Sequence, residues 1–463
     1  MSLVEIVFGV FMVAGVAVFR WLPPAVAAIG VYLAGWLVLP VGHFPAGSAE
    51  AVFPYWITGA AVPSDMLLHK AWVSALAAAL GALLFDRSAW LRLRPAWADA
   101  PLLLWCLWPL CRGVLTGHDL PGAALASLYL LGTWGLPWLL GRVYFATAAG
   151  LRLLAQAVAL GALACLPFSL LEGTIGPVVY GWFYELHPFR HDGDVRYLGF
   201  RPIGFFEHGN QFGLWISLSA LLACWLAVTE PARPAQRRWQ AVAAVLLLMA
   251  LAAQSAGGVV LLSLGALAWS AFAWLRPRHG LLGLLAGLLL GGAVYLSGVV
   301  PMRHIAQATP LGQKVVDVFR ATGRGSFVWR VAQDQKLLAE AKRRPLLGNE
   351  QWDWWRARGV RPWGLTMLVL GQYGLVGLAA CLALWLWPAG RAGWAAPRAS
   401  GWRAAALPLM WATVIVLTVA DALMNSFIFF PAIIAAGALS QASVGDLKPL
   451  RRGEVTRVPA RPA

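Results

Sequence analysis

Acidic residues are scarce in this chain: 20 Asp and Glu stand against 36 Lys and Arg in 463 residues, leaving a formal charge of +16 at pH 7. Charge of either sign makes up only 12% of the residues, and hydrophobic types make up 60%. An ordinary soluble domain carries roughly twice that charged share, so that class is excluded. Cysteine is rare as well. The five present (Cys106, Cys111, Cys165, Cys224, Cys381) all fall inside apolar runs, so no loop offers a disulfide framework or a metal-ligand spacing. A phosphate-binding loop is also missing. Gly173-Thr174-Ile175-Gly176 lacks its spacing, which argues against a sugar-nucleotide donor and against ATP-driven transport. Excess positive charge can signal nucleic acid, but here it sits in short clusters between apolar runs, as in loops held at a membrane face, and no nucleic-acid partner is expected. The N-terminus has Glu5 and no early Lys or Arg, so it reads as an uncleaved first span although Ala25-Val26-Ala27 mimics a cleavage site.

What the chain has in abundance is apolar sequence of membrane-spanning length. Runs at 3–19, 24–40, 71–86, 100–116, 121–141, 150–170, 204–228, 240–254, 257–275, 281–300, 363–387, 403–420 and 424–441 each end at Pro, Gly or charge. Each is long enough to approach the ~30 Å of a bilayer's hydrocarbon core, so the expected fold is an all-α integral membrane protein of about 12–13 transmembrane helices. Arg112 interrupts one run, and Gln254-Ser255-Ala256-Gly257-Gly258 breaks another, so both are open to a re-entrant reading or to different pairing.

Short basic clusters fall at alternate turns: Arg87, Arg92 and Arg94; Arg233, Arg237 and Arg238; Arg276 and Arg278; Arg391 and Arg398; then Lys448, Arg451 and Arg452. The positive-inside rule puts these turns and the C-terminus in the cytoplasm. The expected division is 1–300 as N-terminal transmembrane helices with an outer loop at 171–203, 301–362 as a large periplasmic loop, 363–441 as C-terminal helices, and 442–463 as a basic cytoplasmic tail. The large loop carries twelve Lys or Arg against five acids, which runs against the positive-inside tendency and calls for an anionic ligand outside the membrane. Within it, 327–344 is expected to form a helix on the membrane surface, with Val331, Leu338 and Ala341 near one face, Glu340 paired with Arg344, and Pro345 as the stop. Trp352, Trp354, Trp355 and Trp363 follow, as an interfacial belt or as a surface for sugar rings.

The first outer loop ends in Arg190, Arg196 and Arg201, and Pro202-Ile203-Gly204-Phe205-Phe206-Glu207-His208-Gly209-Asn210 opens the next span. Ionisable residues at a membrane edge point to a functional site, with snorkelling at a helix end as the plainer alternative. Three passages resemble the O-antigen ligase and polymerase superfamily, membrane glycosyltransferases that use glycans on an undecaprenyl diphosphate carrier. They are Arg201-Pro-Ile-Gly-Phe-Phe-Glu-His-Gly-Asn-Gln-Phe-Gly213; Gly323-Arg324 with Trp329-Arg330 running into Arg344-Pro-Leu-Leu-Gly348; and Gly371-Gln-Tyr-Gly-Leu-Val-Gly377. Their order against the spans, and the large outer loop before the last few spans, extend the likeness over most of the chain.

The resemblance implies a C-type glycosyltransferase-like fold and metal-independent, inverting transfer without a cofactor, in which arginines bind the donor's diphosphate. A guanidinium suits that role, since its planar fork holds phosphate oxygens bidentately and keeps its proton. Arg201 ranks first as diphosphate ligand, then Arg330 and Arg324, then Arg196 and Arg190. Two departures matter. Ser255-Ala256 stands where many relatives have Ser-Arg, and Arg361-Pro-Trp-Gly-Leu-Thr-Met-Leu lacks the histidine that ligases carry where the loop enters the next span. That histidine is a general-base candidate in the ligases; its absence shifts the expectation towards a polymerase. Glu207 and His208 are the catalytic candidates beside Arg201, with Glu185, His187, His191 and His304 as others, and Glu172 as a base, a salt-bridge partner or a solvated helix end.

The expected function is a polymerase or ligase of a cell-surface polysaccharide at the outer face of a bacterial cytoplasmic membrane. Its expected partners are an undecaprenyl-diphosphate-linked glycan donor, a glycan or lipid A-core acceptor, the lipid bilayer, and envelope-assembly proteins. The alternatives are a transporter or flippase of an anionic lipid-linked solute, or a non-catalytic scaffold of the same fold.

Overall fold

A chain segment in lipid must pair every backbone N–H and C=O within itself, so apolar runs of this length fold as helices. The computed structural model describes residues 2–42, 55–59, 68–184, 187, 195–274, 276–301, 304–305, 308–321, 325–349, 351–396 and 407–441. It is almost wholly α-helical, with one two-stranded hairpin, β1 (Val195–Arg196) paired antiparallel with β2 (Gly199–Phe200).

Six helical stretches among the described residues are long and apolar enough to cross a membrane: Trp97–Thr116, Leu120–Tyr144, Ala148–Ile175, Gly209–Thr229, Pro277–Ser297 and Leu365–Ala395. Shorter apolar helices cover Leu3–Val18, Pro24–Val38, Lys70–Phe85, Ala256–Phe272, Leu407–Ala422 and Pro431–Gln441. The sequence boundaries err at several helix starts, with the helices expected from 240 and 281 already under way at Arg233 and Pro277. The run expected from 204 becomes helical only at Gly209, and the run expected from 424 only at Pro431. Arg112 does not break its helix, which is continuous from Ala100 to Thr116. The break at 254–258 is present: one helix spans Arg233–Ala252, the next starts at Ala256, and Gln254 between them has φ +50°.

One end of the bundle is tied by cations. Arg142 bonds Asp99 and the Arg94 carbonyl (2.6 Å), Arg152 bonds Glu230, Arg391 bonds the Ser440 carbonyl, and Arg278 lies over Trp394 (3.7 Å). The opposite end gathers the segments around 172, 201–210, 253–258, 325–365 and 421–430. Between the ends, Trp36 stacks on Phe430 (4.3 Å) and lies beside Trp215 (5.9 Å), in a buried aromatic layer that the other helices enclose.

Among its described residues the large loop includes two longer helices, Pro310–Ala321 and Gly325–Ala341. Leu337, Leu338 and Ala341 of the second are buried against the main core, so this helix docks on protein along that face. Glu340 pairs with Arg343 (3.0 Å) and Arg358 (2.8 Å). After Pro345 the loop inserts into a break in the helix Leu365–Ala395. Gly374 there has φ +68° and ψ −168°, a conformation open essentially to glycine alone. A break frees N–H groups on one side and C=O groups on the other. The loop answers both: Leu375 and Val376 donate to the Pro345 and Leu346 carbonyls (2.7 and 3.3 Å), and Asn349 donates to the Gly371 carbonyl from its backbone (2.8 Å) and side chain (2.9 Å). Arg112 Nη2 then donates to the Asn349 carbonyl (2.5 Å), and Trp108 Nε1 to that of Tyr373 (3.0 Å). The two sequence passages Arg344–Gly348 and Gly371–Gly377 therefore form one structural unit, and Arg112 belongs to it. Trp354, read from sequence as a belt residue, is buried over Gly371 instead.

Candidate functional site

The non-helical stretch 201–208 is held by its neighbours. Glu172 is 1% exposed and accepts from the backbone N–H groups of Ile203 (2.7 Å), Gly204 (2.6 Å) and Val179 (3.1 Å). It is neither solvated nor placed as a base; it fixes the turn that carries Arg201. Glu172→Gln turns an amide donor against one of these N–H groups. The expected result is a loss of about 1–3 kcal/mol of stability with faster amide exchange at Ile203 and Gly204, read by hydrogen-exchange mass spectrometry. Unchanged exchange at both residues would remove the clamp. Gln254 holds the hairpin just upstream, accepting from Leu198 N–H (3.0 Å) and donating to the Phe200 carbonyl (3.2 Å). Its left-handed backbone, unusual for a non-glycine residue, points to a constrained site.

Arg201 is 4% exposed, and its Nη2 donates to Asn210 Oδ1 (2.5 Å) in the first turn of the next helix. Its guanidinium lies flat on Gly209, where a Cβ would come within 2.4 Å of Nε. That helix approaches the 254–258 break closely, since a Cβ on Gly213 would meet the Ser255 Cβ at 2.2 Å. Gly257 in the break faces Asp421 and Asn425, at the end of the helix Leu407–Ala422. Arg330 reaches this point from the large loop: Nη1 donates to Asn425 Oδ1 and to the Met424 carbonyl (3.3 Å). Asn425 Nδ2 in turn donates to Asp421 Oδ1 (2.7 Å). Arg330 thus reaches, from another element, the face of the break where the resemblance leads one to expect an arginine. Trp363 is flanked by the guanidinium groups of Arg330 (5.1 Å) and Arg361 (4.7 Å) and by Trp329 (5.4 Å), forming a cationic and aromatic surface.

His208 lies within the electrostatic reach of both arginines. It caps the helix Gly209–Thr229, its Nδ1 accepting from Asn210 N–H (3.0 Å), and its ring stacks on Phe427 (5.3 Å). Burial first, and then the charges of Arg201, Arg330, Arg196 and His187, hold this imidazole well below its usual range. It is therefore neutral near pH 7, with its lone pair committed to the cap and its Nε2 carrying the proton. In that tautomer His208 is a hydrogen-bond donor to an anion, not a base.

Glu207 faces the other way. Trp56 Nε1 donates to its Oε2 (3.2 Å), Gln211 Nε2 to its Oε1 (3.5 Å), and His69 Nε2 stands 3.8 Å off. Beside it Lys70, fully buried at the start of the helix Lys70–Phe85, donates to the Phe205 carbonyl (2.6 Å). This buried set joins four segments beneath the arginines, and Glu207 does not open onto them. His187 Nε2 lies 2.9 Å from the Phe206 carbonyl and serves the same turn, while His304 is exposed on the loop. Arg190, Arg324, Glu185 and His191 lie outside the described residues, as does the tail from 442.

No family model, curated protein or solved structure matches this chain. The site is therefore read from its own geometry. Three described candidates, Arg201, Arg330 and Arg196, come together with His208 at one end of the bundle, from the first outer loop and the large loop. Two acids near Arg330 were missed in the sequence. Asp421 was hidden at the end of an apolar run. Asp334, on the helix Gly325–Ala341, is fully buried and takes the Tyr295 hydroxyl (2.8 Å). Burial pushes Asp334 up to about 7, against the hydrogen bonds from Tyr295 and the Trp363 backbone and the charge of Arg330. The i,i+4 spacing of Arg330 and Asp334 on a helix was the available signal for Asp334.

Proposed function

We propose that this chain is a membrane glycosyltransferase that moves a glycan from a polyprenyl diphosphate carrier to a hydroxyl acceptor at the outer face of a bacterial cytoplasmic membrane, as a polymerase or ligase of a cell-surface polysaccharide. The observation that carries the reading is that Arg201, Arg330 and Arg196 all bear electrostatically on the buried His208, at the end of the bundle where the basic large loop docks. Guanidinium groups supported by amide side chains and a neutral imidazole N–H can hold a diphosphate bidentately and stabilise it as it leaves. The apolar helices around them would keep the carrier's lipid in the bilayer.

In the proposed reaction the acceptor oxygen attacks the anomeric carbon from the face opposite the diphosphate. The carbon–oxygen bond to the carrier breaks, and the arginines take up the charge that develops on the leaving oxygen. The test is glycan transfer by purified protein in detergent with EDTA, from undecaprenyl-diphosphate-linked oligosaccharide, with and without a lipid A-core acceptor. Chain lengthening without the added acceptor identifies a polymerase, and transfer only to lipid A-core a ligase. The expected result is turnover that Arg201→Ala lowers by at least about 100-fold at normal protein level; turnover indifferent to Arg201 would sink the assignment.

A further inference from the structure

The site needs a group to take the acceptor's proton, and the histidine expected at the loop's entry into the helix Leu365–Ala395 is missing from Arg361-Pro-Trp-Gly-Leu-Thr-Met-Leu. Resting on the transferase reading above, we infer that Asp421 is that general base, acting through its Oδ2.

The case is geometric. Asp421 closes the helix Leu407–Ala422 beside Gly257 of the helix break, and Asn425 connects it to Arg330 through two hydrogen bonds. Its Oδ1 is occupied by Asn425 Nδ2, and no described group donates to Oδ2. Asp421 is 8% exposed, so it is enclosed by its neighbours. The other described groups around the arginines are committed. Glu172 takes three backbone N–H groups, and Glu207 takes Trp56 and Gln211 below the site. Asp334 is fully buried behind Arg330 and takes the Tyr295 hydroxyl; His208 spends its lone pair on the Asn210 N–H. Asp421 thus stands one amide side chain away from the guanidinium that holds the leaving diphosphate.

In the step, the acceptor O–H bond breaks and its proton goes to Asp421 Oδ2. The oxygen's electron pair forms the new glycosidic bond at the anomeric carbon, and the electrons of the old bond leave with the carrier diphosphate. Asn425 orients both partners, binding the carboxylate by its amide nitrogen and Arg330 by its amide oxygen. The charged groups bearing on this pair are Arg330 and Asp334 from the large-loop helix, with Arg201 and Arg196 acting on the neutral His208 alongside Arg330. The break at 253–258 contributes none, being Ala-Gln-Ser-Ala-Gly-Gly.

The experiment pairs catalysis with binding. Asp421→Asn preserves shape and is expected to lower kcat by about 100- to 10,000-fold. Its affinity for undecaprenyl diphosphate alone, measured in nanodiscs, should stay within a few-fold of wild type. The wild-type rate should fall as pH falls, because the base must be ionised; Asp421→Glu should keep a displaced version of that limb, and Asp421→Asn should lose it. A kcat within tenfold of wild type, or an acidic limb that survives in Asp421→Asn, overturns the assignment. A lost affinity for the diphosphate overturns it too, making Asp421 a positioning residue for Arg330. Absence of wild-type transfer with authentic donors, by contrast, overturns the transferase reading and the base with it.

Discussion

Arg201→Ala is expected to cut glycan transfer by about 100- to 1,000-fold, the usual loss when one preorganised donor to developing negative charge is removed. The same is expected of Arg330→Ala. Each guanidinium is anchored by an amide oxygen, Asn210 for Arg201 and Asn425 for Arg330, so the charge is held in place in advance of any ligand. Lysine at either position should recover only part of the activity, since a point charge on a flexible stem cannot reproduce a bidentate fork. If both arginines hold one diphosphate, the double alanine variant should lose much less than the product of the single losses. Rates for wild type, the two single variants and the double variant, at matched amounts of monodisperse protein, supply the check. Fully multiplicative losses would mean that the two act on different groups, and the shared-diphosphate reading would fail.

How much of this was legible beforehand depends on the kind of signal. Helices were legible because apolar runs in lipid have one way to satisfy their backbone. The break at 254–258 was legible because Gln-Ser-Ala-Gly-Gly interrupts such a run, and the structure puts Gln254 in a left-handed turn there. Arg201 stood out because a cation beside a Gly/Asn turn at a span edge is rare. Long-range partners were not legible. Glu172 reads as a polar helix end until Ile203 and Gly204 are seen to return to it, about thirty residues later. Arg112 reads as an interruption until the Asn349 carbonyl is found above it. Glu207 and His208 are sequence neighbours with the same apparent claim on chemistry, yet the chain direction at the helix start turns one towards Trp56 and the other towards Phe427. Sequence adjacency says nothing about that divergence, and it separates a buried structural group from one lying among the arginines.

The stem of the large loop should be the least forgiving part of the molecule, and Gly374→Ala is expected to lower its stability sharply. The backbone at Gly374 (φ +68°, ψ −168°) is one that a side chain adopts only at a cost of about 1–3 kcal/mol. A Cβ there would also lie 2.2 Å from the Leu346 carbonyl oxygen and 2.6 Å from the Gly348 nitrogen, backbone atoms that cannot swing aside. Overpacking of that kind typically adds about 1–3 kcal/mol. Together these reach about 2–6 kcal/mol, a large share of the roughly 5–15 kcal/mol that holds a domain folded. The alternative, moving the loop away, strips Leu375, Val376 and the Gly371 carbonyl of their partners inside the apolar bundle, which is no cheaper. Gly287→Ala is the matched control, because that glycine lies exposed in the helix Pro277–Ser297 with nothing within 4 Å of its added Cβ. Thermal melts followed by size-exclusion chromatography in detergent should show Gly374→Ala aggregating at far lower temperature than wild type, and Gly287→Ala unchanged. Were the two glycine variants to melt alike, the insertion of Pro345–Asn349 into the broken helix would not be what holds the large loop, and with it Arg330, over Arg201.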